Sequence, residues 1–189
     1  MQEIKSTVKS SSFWANLFKQ TTHRGHLRDM LSIMPVFSEL TQKDLDLLLP
    51  IIHNRAYTAN EYVFYQGDPG IGLYIVLEGE VIIERQIDKE HKYMLSRFIA
   101  GDFFGELALL DDDGRSASAV AINNSKLAVI FKPDLDEFIT KYPKKGIKIL
   151  KGISQIVATR LRSINDDFFT LYVQSSNRIK EENNGTSNK

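Results

Sequence analysis

Short runs of apolar and aromatic residues occupy the middle of the chain, between residues 53 and 131. Such runs are typical of strands, and Ala117, Ala119 and Ala121 also show the alternation of a strand that buries one face. Turn signals rich in glycine, aspartate and asparagine separate the runs, most clearly at residues 66–70 and 78–80. About eight strands at regular spacing predict a β-sandwich or a β-roll.

Two helical stripes of apolar residues precede the strands within residues 1–34. The first is aromatic with a few basic residues beside it, a composition found in helices that lie in a membrane interface. The alternative, which we favour because the basic face is sparse, is a helical lid packed on the domain or on a partner subunit. A further helix is predicted where Asp44, Leu45, Leu47, Leu48 and Leu49 lead to Pro50, with Ser38 or Thr41 as its N-cap. The stripes consist of Phe13, Trp14, Leu17 and Phe18, and then of Leu27, Met30, Leu31 and Met34.

Two helices are predicted after the strands. A short one follows Pro133, a residue suited to a first helical turn, and a long one begins near Pro143. Apolar residues in the long helix recur at intervals of three and four, close to the heptad seam of a coiled coil. We favour a seam that pairs two copies of the chain over one broad stripe facing the core of a monomer. The seam contains Leu150, Ile153, Val157, Leu161, Ile164, Phe168 and Leu171, with Ile149 and Ile156 widening it.

Composition narrows the classes of function. The 189 residues carry 24 Lys+Arg and 24 Asp+Glu, so no net charge favours nucleic acid or an acidic surface. A run of lysines between residues 141 and 151 is interpreted as a solvated face. The absence of cysteine excludes disulfides, thiol catalysis and cysteine-based metal sites. The four histidines lack metal-ligand spacing and no nucleophile–base pair stands out, so we expect neither a metal site nor an enzyme.

No targeting or membrane-spanning segment is predicted. The chain has no apolar run of about 18 residues, the length at which a transmembrane helix becomes a candidate. The N-terminus lacks the apolar core and cleavage site of a signal peptide. The expected compartment is therefore the cytoplasm, and membrane binding is not expected.

The stretch GDFFGELALLDDDGRSASAVA, from Gly101 to Ala121, contains the main candidate site. Gly105 permits a ligand to approach the backbone, and the helix formers after it predict a short helix whose first turn offers N–H groups to an anion. Arg115 could return to the same point and hold a phosphate, which leaves Glu106 to accept a hydrogen bond from a sugar hydroxyl. These roles describe a nucleotide site. The alternative is a surface turn with an ordinary Glu106–Arg115 ion pair.

The strings FGELALL and RSASA within this stretch closely resemble the phosphate-binding cassette of cyclic nucleotide-binding domains. Such domains occur in protein kinase A regulatory subunits, cyclic-nucleotide-gated channels and catabolite-activator-type transcription factors. The strings PVFSELTQKDLDLLLP and YQGDPGIGLYIVLEGEV resemble other segments of that family, in the same order. Gly114 stands where the family often has proline, and Asn60 where it often has glycine. The spacing from Glu106 to Arg115 is that of the kinase and channel branch.

The resemblance implies a fold that is mainly β with flanking helices. The family fold is an antiparallel, jelly-roll-like β-roll with N-terminal helices and a long C-terminal helix. Its ligand is a cyclic nucleotide, and we favour cyclic AMP over cyclic GMP. Ser116 keeps cyclic GMP open, because serine or threonine can follow the arginine in members that bind guanine.

The resemblance also implies that the long helix covers the nucleotide base. Aligned on Ala158, Arg160 and Leu161, the two base-contact positions of the family fall on Ile164 and Asn165. Ile164 offers apolar cover, whereas Asn165 can hydrogen bond to an adenine edge. The predicted site therefore consists of Phe104, Gly105, Glu106, Leu107, Ala108, Arg115, Ser116, Ala117, Ile164 and Asn165.

The predicted domains are a helical extension over residues 1–34, a cyclic nucleotide-binding domain over 35–175 and a disordered tail over 176–189. No helix-turn-helix pattern follows the long helix, so DNA binding is not expected. The expected partners are a second copy of the chain, through the long helix, and an unidentified downstream protein. The function favoured is a cyclic nucleotide sensor that signals through this helix. There are two alternatives. One is a regulator of the catabolite-activator transcription-factor family that lacks its own DNA-binding domain, and the other is a cassette-shaped structural domain that binds no nucleotide.

Overall fold

A computed structural model of the protein describes residues 23–88, 91–111 and 113–186. Its eight strands form two antiparallel four-stranded sheets, with strand orders β1-β8-β3-β6 and β2-β7-β4-β5. The predicted antiparallel β-roll with helices at both ends is confirmed. The strands are β1 Ile52–Tyr57, β2 Tyr62–Phe64, β3 Gly72–Glu78, β4 Glu80–Gln86, β5 Lys92–Ile99, β6 Phe103–Phe104, β7 Ser118–Ala121 and β8 Ser125–Phe131.

Strand β3 is buried on both faces, and each face packs into a different apolar cluster. Tyr74 and Val76 point into the cluster between the two sheets. Leu73 and Ile75 point the other way, into a cluster that the helices cover. A strand buried on both faces reads as a continuous apolar run instead of an alternating one, which is the pattern of residues 73–77.

In the described residues four α-helices flank the sheets: α1 His23–Ile33, α2 Gln42–Leu48, α3 Lys132–Lys141 and α4 Pro143–Thr186. Thr41 is the N-cap of α2, as predicted, and its hydroxyl accepts a hydrogen bond from the backbone N–H of Asp44 at 3.3 Å. The Asp44 carboxylate accepts one in return from the backbone N–H of Thr41 at 3.1 Å, which completes a capping box. Within the described residues, no helix is long and apolar enough to cross a membrane.

Helix α1 packs against the β-roll through the second predicted N-terminal stripe. Met30, Leu31 and Met34 are almost fully buried in the cluster beneath the helices. For this stripe the structure agrees with the lid and not with a membrane-facing helix. The first stripe, around Trp14, lies outside the described residues.

The lysines of α4 fasten the helix to the segment that precedes the strands. Lys145 pairs with Asp44 at 2.9 Å, and Lys151 pairs with Glu39 at 2.6 Å. Lys148 donates to the backbone carbonyl of Glu39 at 3.0 Å. The hydrogen bond from Lys145 is the largest cause that lowers the pKa of Asp44 to about 2. These three lysines therefore bind the segment before the strands from the helix surface, while Lys151 stays exposed to solvent.

Helix α4 carries two apolar stripes, which the sequence analysis merged into one seam. The inner stripe is buried on the β-roll and contains Ile149, Ile153 and Ile156. The outer stripe keeps strict intervals of three and four and is exposed or half-buried throughout. The merging has a physical reason: adjacent stripes on one helix share the same spacing, and only packing separates them. The outer stripe contains Ile147, Leu150, Ser154, Val157, Leu161, Ile164, Phe168 and Leu171.

Helix α4 also continues to Thr186, past residue 175, where a disordered tail was predicted. Residues 178–182, RIKEE, are good helix formers with no glycine or proline among them. This local preference is consistent with a helix over these residues.

Candidate functional site

The candidate loop begins where β6 ends. Gly105 has a φ of +80°, a conformation that favours glycine, and the single 3₁₀ turn Glu106–Leu109 follows it. A Cβ atom on Gly105 would lie 2.9 Å from Nη1 of Arg115 and 3.0 Å from the carbonyl oxygen of Gly72. Backbone angle and space therefore both require glycine. This turn agrees with the lower end of the one or two helical turns predicted from the helix formers.

Arg115 returns to the start of this loop, as the spacing predicted. Its backbone N–H donates to the carbonyl of Asp68 and its carbonyl accepts from the N–H of Gly67, both at 2.8 Å. The guanidinium is buried, and its Nη2 donates to the carbonyl of Gly72 at 2.9 Å while Nη1 donates to that of Gly105 at 3.3 Å. Burial lowers the pKa of Arg115, and nearby Tyr74 and Glu106 oppose this shift.

Glu106 is buried at 3% exposure and is held by α4, not by Arg115. Arg160 Nη1 lies 2.5 Å from Oε1 of Glu106, and Arg160 Nη2 donates to the carbonyl of Phe103 at 3.1 Å. The alternative of a surface turn with an ordinary Glu106–Arg115 ion pair is therefore wrong. The long helix is tied directly to the carboxylate of the candidate site.

Two buried polar atoms of the site have no hydrogen-bond partner: Oε2 of Glu106 and Nε of Arg115. Buried polar atoms are nearly always paired, so each unpaired one asks for an explanation. One is an anionic acceptor and the other a cationic donor. A ligand with both a hydroxyl and an anionic oxygen would satisfy the two. Among the described side chains only Nε of Arg28, on α1, shares this state.

A row of packed aromatic rings connects Arg115 and Arg160, the two arginines of the site. The Arg115 Cζ atom lies 4.2 Å from the ring centroid of Phe64, and Phe64 contacts Tyr74 with centroids 5.5 Å apart. Tyr74 stacks on Phe104 with centroids 5.4 Å apart and planes 6° from parallel. Phe98 packs on Phe104 at 5.3 Å and also lies beneath Arg160, whose Cζ is 5.9 Å from its centroid.

The structure brings most of the predicted site residues together, but not the two on α4. Ile164 is 63% exposed, Asn165 is also exposed, and neither has a polar contact with the loop among the described residues. Leu107 and Ser116 are exposed at the loop, whereas the remaining predicted residues of the loop are buried or half-buried. Those grouped at the loop are Phe104, Gly105, Glu106, Leu107, Ala108, Arg115, Ser116 and Ala117.

Sequence reasoning used Arg160 only as an alignment marker and missed its contact with Glu106. A signal was present: the buried stripe of Ile149, Ile153 and Ile156 reaches Arg160 at its next interval of four. A charged residue at a core-facing position needs a buried partner. Phe64 and Tyr74 were predicted only as strand residues, because nothing in their local pattern indicates an arginine against their rings.

No group of histidine, cysteine or acidic side chains suited to a metal ion occurs in the described parts of the chain. The comparisons with known proteins agree with the geometry of the loop. The family model described as a cyclic nucleotide-binding domain matches residues 54–142.

Two curated relatives and one solved structure illustrate the similarity. The cyclic AMP receptor protein of Thermus thermophilus is 32% identical over 77% of this chain and 66% of its own length. A putative potassium channel protein of Rhodopseudomonas palustris is 33% identical over 88% of this chain and 40% of its own length. The crystal structure of a cyclic nucleotide-binding domain from Methylobacillus flagellatus superposes with a TM-score of 0.67 at 25% identity, covering 74% of this chain and 81% of that domain. The chain thus spans only part of these two relatives.

Proposed function

Because this chain belongs to the cyclic nucleotide-binding domain family, we propose that it is a cyclic nucleotide sensor that signals through α4 to a partner protein. Its ligand is a 3′,5′-cyclic nucleotide, with cyclic AMP favoured over cyclic GMP, bound at the loop of residues 104–117. The observation that carries the proposal is the pair of unpartnered buried atoms on Glu106 and Arg115. One cyclic nucleotide offers a ribose hydroxyl to the first and a phosphate oxygen to the second.

The division of labour between the two residues follows from their charges. Arg115 donates from Nε to the phosphate, since a buried cation facing an anion gives a strong, charge-assisted hydrogen bond. Glu106 would repel a phosphate, so it accepts from the ribose hydroxyl through Oε2. Its other oxygen is already used by Arg160, which links ligand binding at the loop to α4.

Binding is tested by calorimetric titration and by thermal unfolding with cyclic AMP and cyclic GMP. A ligand that binds only the folded state adds about 2.7 kcal/mol of stability at 100 times its Kd. We expect Arg115→Ala to weaken binding by about 2–5 kcal/mol, because the desolvated phosphate then lacks its partner. Arg97→Ala is the matched control, since Arg97 on β5 pairs with Glu80 on β4. No binding of either nucleotide by the wild-type protein would refute the sensor.

The ribose contact is tested separately with a 2′-deoxy ligand. Glu106→Gln is expected to bind the 2′-deoxy and the ordinary cyclic nucleotide about equally, whereas the wild type prefers the ordinary one. Glu80→Gln is the matched control, because Glu80 also pairs with an arginine on the neighbouring strand. Equal losses for both ligands in Glu106→Gln would show that the carboxylate does not contact the ribose hydroxyl.

The outer stripe of α4 supports a homodimer as part of the proposal. Its eight positions keep heptad spacing, and only Val157 among them packs, partly buried, against the chain's own core. Paired in parallel, the stripe would occupy the central seam, and Arg160 and Asn165 would fall on the flanking positions that face each other across two copies. Asn165 of a second copy would then lie beside Arg160. This places its amide near the base, with Ile164 as apolar cover in the seam.

A further inference from the structure

The guanidinium of Arg115 contacts aromatic rings and backbone carbonyls, whereas nearby Glu106 forms its ion pair with Arg160. Phe64 lies against it at 4.2 Å and Tyr74 at 5.5 Å, measured from Cζ to each ring centroid. The carbonyls of Gly72 and Gly105 accept from its two terminal nitrogens. In the described part of the chain no carboxylate forms an ion pair with Arg115.

We propose that Phe64 and Tyr74 form an aromatic seat that fixes the orientation of the Arg115 guanidinium and so sets which phosphate oxygen the site grips. The proposal rests on the proposed function and adds two positioning residues to it. Neither residue needs to touch the ligand. Each acts through the arginine.

The geometry explains why such a seat is needed. A buried cation loses its hydration, and a carboxylate partner would compensate for that loss. A carboxylate would also compete with the phosphate for the same charge. The negative faces of aromatic rings stabilise a guanidinium without neutralising it, and the carbonyls of Gly72 and Gly105 hold it in plane. The full charge is thus kept for the ligand.

The seat also limits how Arg115 meets a phosphate. Each terminal nitrogen donates to a backbone carbonyl, whereas Nε is buried without a partner. Rotation away from this arrangement would give up two hydrogen bonds and the contact with Phe64. The guanidinium therefore presents Nε in one fixed direction, and preorganisation of this kind favours affinity because little is ordered on binding. It also makes the two exocyclic phosphate oxygens unequal.

Tyr74 reinforces the seat from the second side. Its ring lies 5.5 Å from Cζ of Arg115 and stacks on Phe104 of the loop. Burial raises the pKa of Tyr74, and the neighbouring Arg115 opposes that rise. A neutral phenol held in this place positions the arginine without adding charge.

The test uses the full chain and four variants: Phe64→Leu, Phe64→Tyr, Tyr74→Phe and the control Tyr57→Phe. Tyr57 is a second partly buried tyrosine of the same apolar cluster. Affinities are measured for cyclic AMP and for its two phosphorothioate diastereomers, each with sulfur in place of one exocyclic oxygen. A separate readout is the NMR signal of the Arg115 Nε–H group, recorded without ligand.

Phe64→Leu is expected to weaken cyclic AMP binding about tenfold and to move the affinity ratio of the two diastereomers towards one. Phe64→Tyr should restore both values, because it keeps the ring. Tyr74→Phe should weaken binding about threefold, since it keeps the ring beside the guanidinium and loses only the phenol oxygen. The Nε–H signal should exchange faster with water in Phe64→Leu than in the wild type. Tyr57→Phe should change none of these.

If Phe64 and Tyr74 only stabilised the fold, the variants would bind all three ligands more weakly by one common factor. The affinity ratio of the two diastereomers would then stay fixed. That result, or unchanged affinity in Phe64→Leu, would overturn the seat while leaving the sensor intact. If Phe64→Leu does not fold, Tyr74→Phe decides by the same ratio. A wild type that binds no cyclic nucleotide would refute the proposed function, and the Nε–H signal would still report whether the rings hold the arginine.

Discussion

The two halves of α4 have the same apolar spacing but different surroundings. Up to Arg160 the helix lies on the β-roll, and Ile149, Ile153 and Ile156 are buried there. Beyond it, Leu161 and Phe168 are 56% and 69% exposed. At 1.5 Å per residue the second half is about 39 Å long. The comparison teaches that spacing identifies a stripe, whereas only packing shows whether the chain itself or a partner covers it.

The largest expected effect comes from shortening one side chain in each half. Ile153→Ala should cost about 2–5 kcal/mol of unfolding free energy, since the residue is fully buried and leaves a cavity. Ile164→Ala is the matching change in the exposed half of α4. It should cost less than about 0.5 kcal/mol of unfolding free energy when the protein is dilute enough to be monomeric. Urea unfolding followed by circular dichroism measures both. Equal losses would mean that the two halves do not differ as described.

The second prediction tests whether a second copy covers the outer stripe. Leu161→Asp should turn a dimer into a monomer in light scattering, because it places a charge in the seam at a cost of about 3 kcal/mol. We also expect weaker binding of cyclic nucleotide, since Asn165 of the second copy is lost from the site. Thr170→Asp, on the opposite side of the helix, is the control and should stay dimeric. If the Leu161→Asp protein stayed dimeric, the dimer interface would have to lie elsewhere than on α4.

The third prediction concerns Arg160, where the two halves meet. Arg160→Gln should cost about 1–2 kcal/mol of stability, because Glu106 then loses a charged partner that is itself partly exposed to solvent. Added ligand should slow amide exchange over residues 155–170 in the wild type and much less in this variant. Arg162→Gln, exposed two residues further on, is the control. If ligand slowed amide exchange equally in both variants, the contact of Arg160 with Glu106 would not be what couples α4 to the site.

Local signals account for what could be predicted from the sequence. Strand alternation, the Thr41 cap and the glycine at residue 105 each depend on neighbours in the chain, so the fold and the loop were predictable. The contact between Arg160 and Glu106 joins residues 54 positions apart, and no local pattern encodes that pairing. The same limit applies to Phe64 and Tyr74, whose rings meet Arg115 only after three strands have assembled.

The smallest expected effect lies at the start of the packed half, where Lys145 holds Asp44. The folded pKa of Asp44 is lowered from 3.8 to about 2, with the Lys145 hydrogen bond as its largest cause. A lowered pKa means that the ionised carboxylate stabilises the fold above pH 4, and that this contribution is lost as the pH falls from about 4 to about 2.

Comparing wild type with Lys145→Gln isolates this contribution. The difference in unfolding free energy should be constant from pH 7 to pH 5 and should shrink below pH 4, measured by urea unfolding at each pH. Lys144→Gln is the matched control, because Lys144 is exposed and has no ion pair among the described contacts. Its difference from the wild type should stay flat over the same range. The contrary result is a difference in unfolding free energy between wild type and Lys145→Gln that persists undiminished at pH 2.5. Packing of the lysine stem, and not the ion pair with Asp44, would then hold the first half of α4 to the segment before the strands.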